Sequence, residues 1–151
     1  MADSREIRQQ ELARLLLQKA RQDLALVRNV GDSGAVADEI IGFHVQQAVE
    51  KVLKSVLTRL GVPYEFTHDL ALLYQQIESA GVSVPISLEA VEGLTAFAVQ
   101  FRYILYEEEP GFDRRVGAKL AEELIEWAHS VIERPVQPQD EEDSDAPGAF
   151  L

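Results

Sequence analysis

Apolar residues recur at three- and four-residue steps through most of the first 133 positions, a spacing that predicts helices rather than strands. Ile7, Leu12, Leu15, Leu16, Ala20, Leu24 and Val27 predict a first helix from Ser4 to Arg28, with Ser4 as its N-cap. Gly31-Asp32-Ser33-Gly34 is the first turn. A second helix is predicted to begin near Ser33 or Ala35 and to run to Leu60, stopped by Gly61 and Pro63. At about 26 residues it would be about 39 Å long, the length of a bundle's spine. Thr67-His68-Asp69 opens a third helix, capped by Thr67 or Asp69, with Leu70, Leu73, Tyr74 and Ile77 inward and Gly81 at its end. Ser87 caps a fourth, predicted to reach about Glu108, with Val91, Leu94, Ala98, Phe101 and Leu105 inward. Pro110-Gly111 breaks it. Asp113 caps a fifth, whose apolar set is Val116, Leu120, Leu124, Trp127, Ala128 and Val131, and Pro135 and Pro138 stop it.

The predicted fold is therefore all-α: an up-and-down four-helix bundle with a short additional helix, over residues 1–133. Residues 134–151 are acidic, proline-containing and poor in apolar side chains, and predict a disordered acidic C-terminal tail. That tail carries five acids and one base, so it accounts for −4 of the formal charge of −12. The remaining −8 gives the bundle no general attraction to nucleic acid, which would need a local basic patch. No apolar run approaches the roughly 20 residues of a membrane helix. The chain has no cysteine, which excludes disulfides and thiolate chemistry and fits a cytoplasmic setting. Its three histidines, His44, His68 and His129, lack metal-ligand spacing, and no cofactor motif is present.

The second helix adds a chemical feature to its apolar face. Ile41, Val45, Ala48, Val49, Val52, Leu53 and Val56 form the face, and His44, Gln47, Lys51 and Lys54 line its edge. On the fourth helix, Arg102 interrupts the apolar side. A guanidinium there is costly unless paired. Two roles follow: a structural pair with an inward acid such as Glu50, or an anion site exploiting its planar fork. Tyr106, like Tyr103, has a ring that either stacks on a base or packs in the core. Should Arg102 face the row on the second helix, the hollow between them would be locally basic. His68 beside Asp69 predicts a role in capping the third helix, and His129 one at a helix C-terminus. No Ser-His-Asp set or paired-carboxylate hydrolase arrangement can be assigned.

The stretch Phe43-His44-Val45-Gln46-Gln47-Ala48-Val49-Glu50-Lys51-Val52-Leu53-Lys54 resembles the signature helix of HEPN domains. Thr67-His68-Asp69-Leu70 and Phe101-Arg102-Tyr103 resemble that family's later landmarks, in the same order and at matching spacing. The resemblance implies a helical bundle that forms homodimers and works with a minimal nucleotidyltransferase, as a toxin–antitoxin or nucleotide-transfer pair. With the helix-edge row above, the expected site for an anion, a nucleotide or RNA is Arg102, His44, Gln47, Lys51, Lys54 and Tyr106. Some HEPN proteins are metal-independent ribonucleases in which a histidine follows the arginine by four to six residues. Here Glu107, Glu108 and Glu109 stand in the candidate positions. Carboxylates there repel an RNA backbone, so a divergent ribonuclease is the alternative reading, with His44 or His68 supplying the imidazole.

Overall fold

A computed structural model describes residues 3–64, 66–95 and 112–135. Every regular element among them is a helix: α1 (Ser4–Val30), α2 (Asp38–Leu60), α3 (Leu70–Ser79), α4 (Leu88–Glu92) and α5 (Arg114–Ile132). The long helices α1, α2 and α5 pack on one another, α3 packs on α2, and α4 on α3. This is an all-α bundle with α2 as its spine. The predicted fourth helix is not continuous, because α4 ends at Glu92, where the Gly93 amide caps it; Arg102, Tyr103, Tyr106, Glu107 to Glu109 and the predicted tail from Val136 on lie outside the described residues.

Most helix boundaries follow local chemistry. Asp69, Ser87 and Asp113 each accept hydrogen bonds from the first turns of α3, α4 and α5. Gly61 ends α2 in the left-handed conformation, φ 71°, where a side chain would be strained. Two predicted starts shift as well. Asp3, not Ser4, caps α1, because its carboxylate accepts from the Arg5 amide. And α2 begins at Asp38 rather than at Ser33 or Ala35. The reason for the later start comes from α5. Arg114 donates to the carbonyls of Gly31, Ser33 and Val36 and to the Asp38 carboxylate, which holds residues 31–37 as a loop.

The core corrects two periodicity readings. On α1 the buried stripe is Ala13, Leu17, Ala20, Leu24 and Val27. Leu12 and Leu15, expected inside, are exposed, as is Ile7. Leucines stand on more than one face of α1, and packing chooses which of them are buried. On α5, Val116 points outward, and Gly117 takes the inward place against Phe112. A Cβ at Gly117 would come 2.5 Å from the Phe112 ring, so only glycine permits this approach.

Arg14 and Arg28, two heptads apart on α1, pair with Glu133 and Glu122 beside α5. The Arg14 guanidinium holds the Glu133 carboxyl below the usual carboxylate range. Gln10 and Arg59 donate to the Ile132 carbonyl, so α1 and α2 satisfy the end of α5 that has no helical partner.

The Arg114 clamp predicts a stability effect. Arg114→Lys should destabilise the protein by roughly 2–4 kcal/mol, because one ammonium cannot meet three carbonyls and a carboxylate. Urea unfolding of the variant measures this directly; an unchanged midpoint would show that the loop does not need the guanidinium.

Candidate functional site

α2 is buried on almost every side. Besides Ile41, Val45, Ala48, Val49, Val52, Leu53, Val56 and Leu57, it buries Gln46, Glu50 and Ser55. Burying polar groups is costly unless they are hydrogen-bonded, so their partners decide what the helix can do. Gln46, Glu50 and Lys54 sit at successive four-residue steps, one above the other. Gln46 Nε2 donates to Glu50 Oε1 at 3.4 Å, and Lys54 Nζ donates to Glu50 Oε2 at 3.3 Å. Gln47 Nε2 donates to Gln46 Oε1 at 2.8 Å. From the segment before α3, His68 places Nδ1 2.7 Å from Glu50 Oε1. The Glu50 carboxylate is thus 6% exposed, whereas the His68 ring is 60% exposed. Lys54 Nζ also lies 5.7 Å from the centre of the Tyr64 ring, within reach of a cation–π contact.

A second cluster sits further along the same edge. Asp23 of α1 reaches across to α2, with Lys51 Nζ on its Oδ2 and His44 Nδ1 3.2 Å from its Oδ1. The predicted row is therefore divided. His44 and Lys51 meet at Asp23, while Gln47 and Lys54 meet through Gln46 and Glu50. Each lysine faces a carboxylate, so the row holds matched charge rather than a bare basic strip. A ligand there would meet ordered donors and two imidazoles, not free ammonium groups. The carboxylate suggested as a partner for Arg102 is already met by His68, Lys54 and Gln46; Arg102 and Tyr106 themselves lie outside the described residues.

His68 departs from the capping role expected of it. Asp69 accepts from the Ala71 and Leu72 amides, and Thr67 Oγ1 accepts from the Asp69 amide, which frees the imidazole to face Glu50. Periodicity also missed Gln46 and Asp23. The usable signal for Gln46 was the 46-50-54 ladder of polar residues inside an apolar helix. Asp23 gave no comparable signal, since its partner lies on another helix. Thr95 Oγ1 accepts from the Leu70 amide, which ties the residue after the α4 turn to the start of α3.

Two open grooves, of about 430 and 510 Å³, run between α1 and α5, lined by Val27, Arg28, Arg115 and Lys119 in one and by Arg21, Ile125 and Glu126 in the other. Neither is lined by the polar row of α2. Among the described residues no group of acids and histidines could hold a metal ion, and no helix is long and apolar enough to cross a membrane.

The network predicts unequal consequences for its members. Glu50→Ala should cost roughly 3–5 kcal/mol, because it leaves buried Gln46 and Lys54 without their acceptor. His68→Ala, at an exposed ring, should cost under about 1 kcal/mol. Guanidinium unfolding of both variants tests the ordering, and equal losses would mean that Glu50 is no more central to the network than His68.

A family model described as the HEPN domain matches residues 13–139 of the chain. No curated protein and no solved structure matches it.

Proposed function

This chain belongs to the HEPN domain family, and from that premise we propose that it is a homodimeric, cytoplasmic binding module that works beside a minimal nucleotidyltransferase as a toxin–antitoxin-like pair. Its site would take an anion or nucleotide at the edge of α2, with His44, Gln47, Lys51 and Lys54 on one wall and Arg102 and Tyr106 on the other. The observation that carries this reading is the pair of satisfied polar clusters on the helix that bears the family's signature. Replacing a buried ion pair with well-packed apolar residues is often neutral or stabilising, so core packing alone does not call for these groups. Ordered amide, imidazole and ammonium groups are suited to a phosphate and a base held together, with the amides fixing orientation and the cations balancing charge.

The partner half of the reading has a direct test. The tagged chain, purified from cells that express it natively, should bring down a small nucleotidyltransferase in stoichiometric amount. Recovery of the chain without one would remove the pairing. The ligand half is tested by calorimetry with ATP: Lys51→Ala and Lys54→Ala should each weaken binding by about tenfold, the usual worth of one charged hydrogen bond. Equal affinities for wild type and both variants would place any nucleotide elsewhere.

One contact favours a second reading, a divergent ribonuclease. An exposed imidazole whose Nδ1 is fixed by a buried carboxylate has the arrangement of a general base. His68 would then stand in for the histidine replaced by Glu107 to Glu109. RNA incubated without divalent metal should be cleaved, and His68→Asn should lower the rate by roughly 100-fold or more. No cleavage by the wild-type chain would end this alternative.

A further inference from the structure

Among the described residues, the two ammonium groups of the α2 row, Lys51 and Lys54, face the carboxylates of Asp23 and Glu50. The two carboxylates are not equivalent. Glu50 is enclosed at 6% exposure, with Gln46, Lys54 and His68 around it, and a charge in that position must be matched. Asp23 comes from α1 and is 14% exposed, and its partners His44 and Lys51 are 29% and 27% exposed. An ammonium at a helix edge, that far open to water, keeps hydration of its own and does not require a carboxylate. Asp23 therefore adds a negative charge at the rim of this edge beyond what burial demands.

That charge has two effects on anything bound there. It answers Lys51 at contact distance, so the described wall offers a polyphosphate no net positive charge, in a chain of formal charge −12. Lys51 still has two of its three N–H donors left for a single phosphate. The second effect is on His44. A carboxylate only accepts, so a neutral imidazole whose Nδ1 lies 3.2 Å from Asp23 Oδ1 carries its proton on Nδ1. Nε2, across the ring, keeps a bare lone pair. It accepts from a hydroxyl or an amino group and repels a phosphate oxygen that has no proton to give. This part of the edge is suited to a sugar or a base rather than to a run of phosphates.

We propose that Asp23 is the specificity-determining residue of the ligand site on α2, admitting a nucleotide with one phosphate and excluding polyphosphates. The proposal rests on the nucleotide reading of the preceding subsection. It adds the charge class of the ligand, and a selecting residue on α1, outside the signature helix.

Calorimetry with AMP and ATP in metal-free buffer tests it. The wild-type chain should bind AMP roughly tenfold or more tightly than ATP, the effect of like charges close to a protein surface. Asp23→Asn keeps the shape and removes the charge. It should raise ATP affinity by about tenfold and change AMP affinity by less than about threefold. Asp23→Glu should retain the preference for AMP. Glu11→Gln removes an equal charge from an exposed position of the same helix, about 18 Å away along its axis. It should alter neither affinity, because that separation exceeds the Debye length of about 8 Å. A purely structural Asp23 would lower both affinities together and leave their ratio alone, so the ratio is the readout. ATP bound by the wild type as tightly as AMP overturns the proposal, whether or not a variant folds. So does a ratio unchanged by Asp23→Asn, or one that Glu11→Gln shifts equally. Each of those results leaves the nucleotide reading standing, whereas a wild type that binds neither nucleotide ends both.

Discussion

A helix buried on nearly all sides must find partners for the polar side chains it carries inward, and that constraint on α2 shapes the rest of the molecule. Gln46, Glu50 and Ser55 are inside. The Ser55 hydroxyl turns back to the Val52 carbonyl, a local solution available to any helical serine. Glu50 has no such route. An ionised carboxylate in that position needs donors from its own helix and from a neighbour, and it finds Lys54 and Gln46 on α2 and His68 from the strand of chain before α3. The contact with His68 thereby ties α3's N-terminus to the spine. The same physics joins α1 to α2 at Asp23, which is 14% exposed and meets both Lys51 and His44.

Placement of these clusters depends on how the ends of the helices are held. Arg114 at the start of α5 closes the loop between α1 and α2, and Gln10 and Arg59 close the far end of α5. With both ends fixed, α1 and α2 lie side by side in one register, and Asp23 falls between His44 and Lys51. The exposed pairs of Arg14 with Glu133 and Arg28 with Glu122 add direction rather than much energy, since solvent screens them.

Charge balance separates this edge from an ordinary basic patch. The chain is acidic overall, and its two lysines on α2 are each answered by a carboxylate. Such an edge has little long-range pull on a polyanion, but it presents directional donors at short range. That favours recognition of one small, well-fitted ligand or one protein partner over loose binding to RNA.

Much of the architecture was legible from the chain. Three-four periodicity, with capping acids at Asp69 and Asp113 and a stop at Gly61, determined that the fold is helical and where most helices begin and end, because those preferences act between residues a few positions apart. The HEPN resemblance was legible too, since it rests on short motifs in order. What the sequence could not decide was which of two leucine-bearing stripes on α1 faces inward, that α2 waits until Asp38 to start, or that His68 serves Glu50 instead of a helix cap. Each of those depends on a group more than fifteen positions away: α5 and α2 against α1, Arg114 against the 31–37 loop, Glu50 against His68. Hydrophobicity and hydrogen-bonding capacity are properties of single residues, but the partner that satisfies them is chosen only when the helices pack.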